Sequence, residues 1–92
     1  MNSFRTARFR QAFDQLPAEI QERARQAYRL FSQNPYHPSL QFKQVHPSQP
    51  IFSARITLDY RALGIRDGDE IVWFWIGSHA AYNNLVAQLK KR

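Results

Sequence analysis

At Pro35-Tyr36-His37-Pro38 the hydrophobic period of the chain changes from helical to strand-like, and few folds accommodate that change. Before the break, Phe9, Phe13 and Leu16 recur at i, i+4 and i+7, which predicts a short helix over 6–16. Pro17 ends it and suits the start of a second helix, where Glu19 meets the positive end of the dipole. Ile20, Ala24, Ala27 and Phe31 carry the stripe on to Asn34-Pro35. After the break, alternating runs predict strands at about 40–45, 51–57, 60–66 and 70–76. Their connections are short, so an antiparallel meander follows. Ser78 can cap a last helix over about 80–91, with Tyr82, Leu85, Val86 and Leu89 as its stripe and Lys90, Lys91 and Arg92 at its C-terminal end. The expected class is α+β: an N-terminal helical hairpin packed on a four-stranded antiparallel sheet, with a C-terminal helix. Ninety-two residues make one domain, 1–92.

Charge narrows the function. Thirteen Lys and Arg against seven Asp and Glu leave +6, with the excess spread over both halves of the chain. A small folded domain of this charge suggests an anionic partner. The absence of cysteine removes disulfides, a thiol nucleophile and thiolate metal sites. Three histidines show no ligand spacing, and there is no glycine-rich phosphate loop or dinucleotide fingerprint, so neither metal nor cofactor is expected. Residues 1–20 hold Arg5, Arg8, Arg10 and Asp14 without an apolar core, and Ile71 to Ile76 is too short to span a bilayer. A cytoplasmic protein with no membrane partner is the expectation.

Simple hairpin registers sort the strands into two faces. Leu40, Phe42, Phe52, Ala54, Ile56, Ala62, Val72, Phe74 and Ile76 fall on the side that packs against the helices. Gln41, Lys43, Ser53, Arg55, Arg61, Leu63, Ile71, Trp73 and Trp75 fall on the other. Arg55 and Arg61 lie directly opposite on adjacent strands, and facing like charges are destabilising unless an anion sits between them. The competing reading pairs Arg55 with Asp59 and Arg61 with a nearby carboxylate. Arg61 also falls near Trp75, where a cation–π contact is expected. Cations mixed with aromatics suit phosphates and unpaired bases. His37 and His46 read as loop or strand-end residues. His79 starts the last helix beside the basic face, either as a proton carrier or as a packing residue.

Across nearly the whole chain these segments resemble the RelE/ParE toxin superfamily. The resemblance rests on Phe13-Asp-Gln-Leu-Pro17, Asn34-Pro35-Tyr36-His37-Pro38-Ser39-Leu40, Phe42-Lys43, Phe52-Ser53-Ala54-Arg55-Ile56, Tyr60-Arg61-Ala62-Leu63 and Trp75-Ile76-Gly77-Ser78-His79 followed by Tyr82. It implies the toxin of a type II toxin–antitoxin pair, with a cognate antitoxin as partner. RelE-like members cut mRNA in the ribosome, whereas ParE-like members inhibit DNA gyrase. The presence of His79 favours RNA cleavage. By resemblance, Arg55, Arg61 and His79 are the catalytic residues, and Lys43, Ser53, Trp75 and Tyr82 are RNA-contacting. Ser53 stands where some relatives carry lysine. A gyrase inhibitor without catalysis, or a non-catalytic RNA-binding module, are the alternatives. Residues 1–5 leave little room for the family's usual first strand.

Overall fold

A computed structural model describes residues 1–91, so Arg92, expected at the end of the last helix, lies outside the described residues. The elements are β1 (Asn2–Arg5), α1 (Ala7–Asp14), α2 (Ala18–Gln33), a 3-10 turn (Pro38–Leu40), β2 (Lys43–Gln44), β3 (Ile51–Thr57), β4 (Tyr60–Asp67), β5 (Glu70–Ser78) and α3 (His79–Lys90). The strands form a five-stranded sheet in the order β1-β5-β4-β3-β2. The α+β class and the helical hairpin are as expected.

The first strand does exist. Residues 2–5 pair in parallel with β5, from Asn2 opposite Glu70 to Arg5 opposite Trp73. Asn2 N–H donates to Asp69 O at 2.9 Å and Thr6 N–H to Trp73 O at 3.1 Å. Four residues are too few to show a period, but they suffice where the outer edge of β5 offers unpaired backbone groups. Thr6 then caps α1, accepting the Phe9 N–H at 3.1 Å. Gln21 of α2 donates to Phe13 O at 3.0 Å and ties the second helix to the end of the first.

Strand 40–45 shrinks to Lys43–Gln44. Its first half is taken by the 3-10 turn, which His37 caps through Ser39 N–H, and by Gln41 in the left-handed region at φ 45°.

The facing of β5 is also corrected. A bulge puts Gly64 opposite Trp73 and Leu63 opposite Trp75, which leaves Phe74 unpaired between them. Ile71 and Trp73 therefore point to the helix side, while Val72 is exposed and Phe74 packs on the opposite side. Gly64 permits this. A Cβ there would lie 2.8 Å from Ile71 and 2.9 Å from Trp73, so only glycine lets both side chains cross β4.

Each sheet face has its own core. The hairpin side buries Phe9, Ala24, Phe31, Leu40, Ala54, Ala62, Ile71, Trp73 and Ile76. The helices do not all lie there as expected. The stripe of α3 needs an apolar partner, and with the hairpin already in place it packs on the other face over Ile51, Leu63, Phe74 and Trp75. His46, read from sequence as a strand-end residue, is buried and holds α3 in place. Its Nδ1 accepts the backbone N–H groups of Ser48 and Gln49, and its Nε2 donates to Leu89 O at 3.2 Å. Among the described residues no helix is long and apolar enough to cross a membrane.

Candidate functional site

The β3–β4 hairpin brings Arg55 opposite Arg61, as the sequence predicts, and the β4–β5 register brings Arg61 opposite Gly77. The two side chains then part. Arg55 is half-buried and its Nε donates to Ser39 O at 3.1 Å, where it lines a shallow pocket of about 260 Å³ with Arg23 and Thr57. Arg61 is buried, with 7% of its surface exposed. Its Nη1 donates to Ser53 Oγ at 3.0 Å and its Nη2 to Gln41 Oε1 at 2.9 Å. Its guanidinium lies 5.3 Å from the centroid of the Tyr82 ring.

Those partners are all neutral. Among the described residues the ion pairs join the Met1 amine to Asp69 and Arg25 and Arg29 to Glu22, so the expected alternative of carboxylates on Arg55 and Arg61 is not what forms. Among the described residues Arg61 Nε is buried without a hydrogen-bond partner. A desolvated cation without a counter-charge costs stability. No carboxylate cancels its charge, and an anion approaching the exposed part of the guanidinium would supply the missing counter-charge.

The aromatic partner of Arg61 is Tyr82 and not Trp75. Trp75 is half-buried and lies along its own strand: a Cβ on Gly77 would come within 2.6 Å of the indole. Gly77 thus lets the indole extend to the level of Arg61. Tyr82 is buried, 8% exposed, and sits between two functional candidates. Its ring lies against the Arg61 guanidinium and also meets the His79 ring edge-on, with centroids 5.6 Å apart. In this arrangement little of the Tyr82 ring is exposed.

His79 is half-buried at the first position of α3, and its backbone N–H donates to Asp59 O at 2.6 Å. Ser78 caps the same turn by accepting the Ala81 N–H at 3.2 Å. Asn83 Nδ2 donates to His79 Nδ1 at 3.2 Å, which leaves the proton of a neutral imidazole on Nε2. Lys43 is exposed on β2, in register with Ser53, one strand further out on the same face. Ser53 is fully buried, and its hydroxyl accepts from Arg61.

One residue at this site had no place in the sequence reading: Asn83, although it stands four residues beyond His79 on a helix. Alternation puts Gln41 on this face, but its bond to Arg61 had no sequence signal.

The reverse face carries a different feature. Between α1 and α2, over Ala54 and Ala62, lies an apolar cleft of about 500 Å³ walled by Phe9, Phe13, Phe31 and Trp73. Arg5, Arg10, Arg25 and Arg29 stand around it with a single carboxylate, Asp14.

The molecule is an α+β domain: a five-stranded sheet with a helical hairpin on one face and a basic, histidine-bearing site beside a terminal helix on the other. The model of the ParE-like toxin domain matches residues 18–84, and the chain belongs to that family. Solved structures agree in fold. The YafQ protein of E. coli strain BL21(DE3) is similar at a TM-score of 0.71 and 12% identity, over 88% of this chain and 96% of that one. The toxin–antitoxin complex RelBE2 of Mycobacterium tuberculosis holds a chain similar at 0.68 and 22% identity, over 85% and 96%. The RelB–RelE antitoxin–toxin complex of Methanococcus jannaschii holds one at 0.68 and 15%, over 89% and 96%. No curated protein sequence matches the chain.

Proposed function

We propose that the chain is the toxin of a type II toxin–antitoxin pair and cleaves mRNA, as a ribosome-dependent endonuclease. The observation that carries this reading is the buried Arg61, without a carboxylate partner among the described residues, held against the Tyr82 ring that His79 also meets. The chemistry needs no metal. The ribose 2′-OH attacks the adjacent phosphorus, the bond to the 5′ oxygen of the next nucleotide breaks, and a cyclic phosphate and a free 5′-OH result. Arg61 holds the phosphate and stabilises the charge that grows on its oxygens, and Arg55, whose side chain turns to Ser39, adds positive charge from the neighbouring strand. His79 moves the proton. Lys43 meets the neighbouring backbone, and the half-buried Trp75 offers an edge against which a base can stack. Few groups take part, so a ribosome that holds the strand in line supplies much of the positioning.

The antitoxin belongs to the same reading. Two of the similar toxin chains were solved with an antitoxin. The arginine-rimmed apolar cleft suits an amphipathic helix with acidic flanks.

The family model's ParE-like description keeps one second reading open, inhibition of DNA gyrase by contact alone. His79→Gln separates the two. For the nuclease, mRNA end mapping on translating ribosomes after induction is expected to show cleavage reduced about a hundredfold to ten-thousandfold, with ribosome association kept. A variant that cleaves at the normal rate removes the mechanism. Toxicity that persists with inhibited supercoiling and uncut mRNA supports the gyrase reading.

A further inference from the structure

Gln41 is the one non-glycine residue with positive φ among the described residues, at φ 45° and ψ 43°. An L side chain is disfavoured there, and a glycine would sit without strain. The conformation has a clear consequence. Leu40 on one side is 2% exposed in the hairpin-side core, and Phe42 on the other packs against Phe31 and Phe52 with centroids 5.1 and 4.9 Å away. Between these two anchors Gln41 is sent to the opposite face, where its Oε1 accepts from Arg61 Nη2 at 2.9 Å.

The chemical type of this acceptor matters as much as its place. Arg61 can only donate, so the carboxamide oxygen must face it and the Nε2 group, with two donors, is turned away. A glutamate would reach the same point and make a charge-assisted bond. It would also neutralise the guanidinium and repel a phosphate. Ser53, the other acceptor, is likewise neutral. With both terminal nitrogens of the fork held by neutral groups, the guanidinium is oriented and its charge is not cancelled.

We propose that Gln41 is a specificity-determining positioning residue: it aims Arg61 at the anion without cancelling its charge, and so sets how strongly this face takes a phosphate. The inference rests on the reading of Arg61 as a phosphate-binding residue, and its test separates the two. The probe is a short 2′-O-methyl oligoribonucleotide, which cannot be cleaved, with binding followed by fluorescence anisotropy across a salt series. Thermal melting is recorded on the same samples. Gln41→Glu is expected to melt about 4 °C higher or more, because it adds an ion pair. The same variant is expected to bind at least about tenfold more weakly, with a shallower salt dependence. Gln41→Gly, which loses strain and acceptor together, is expected to melt no lower than the parent and to bind severalfold more weakly. A purely structural role would move stability and binding in the same direction. If Arg61→Met weakens binding but Gln41→Glu does not, the inference falls and the site stands. If Arg61→Met binds as tightly as the parent, the phosphate reading falls and takes the inference with it.

Discussion

The two faces of the sheet bury side chains on opposite terms. On the hairpin side Phe31 contacts Phe42 at 5.1 Å and Trp73 at 5.3 Å, both near edge-on, and the charges stay at the rim. Two of those rim arginines, Arg25 and Arg29, are paired with Glu22. On the α3 side a cation lies inside, with a hydroxyl, an amide oxygen and an aromatic ring around it and one donor unmet. Both sides bury apolar side chains, and the hairpin side also leaves a cleft of about 500 Å³, so hydrophobic burial alone does not distinguish them. What differs is polar satisfaction. The first face is arranged for stability, and the second retains a deficit that a ligand can fill.

The same location explains how the α3 side stays ordered despite that deficit. The helix is held at its start by His79 N–H on Asp59 O and near its end by His46 on Leu89 O. Between these points Tyr82 contacts both Arg61 and His79.

Substitutions on the two faces therefore have different consequences. Trp73→Ala strikes the aromatic centre of the hairpin side and is expected to cost about 3–5 kcal/mol in urea unfolding, enough to unfold a small domain. A loss below 1 kcal/mol would contradict the assignment of that face as the main source of stability. Gly64→Ala forces a methyl group into Ile71 and Trp73 and is expected to cost about 1–3 kcal/mol by the same measurement. An unchanged midpoint would mean that β5 does not hold its bulged register. Arg61→Met is expected to shift stability by less than about 1 kcal/mol, because relief of the unpaired cation offsets the orphaned Ser53 hydroxyl. A strong destabilisation would show that Arg61 is a structural residue and that the contrast between the faces is false.

Much of this organisation could be read along the chain. The period change at Pro35–Pro38 marks the passage from hairpin to sheet, because a helix and a strand repeat their apolar side chains differently. The tight β3–β4 turn puts Arg55 opposite Arg61, since a hairpin's pairing follows from its turn. Short-range rules also place His79 at the start of α3, behind a serine cap. The rest depends on contacts between distant segments. β1 forms only because β5 offers it an edge, and Phe74 changes sides only because Gly64 leaves room for Trp73. α3 crosses to the Arg61 face because the hairpin already occupies the other. The partners of Arg61 come from positions 41, 53 and 82, on three separate segments. Periodicity states which residues share a face; whether a buried charge there finds an acid, an amide or nothing is decided only when the segments meet.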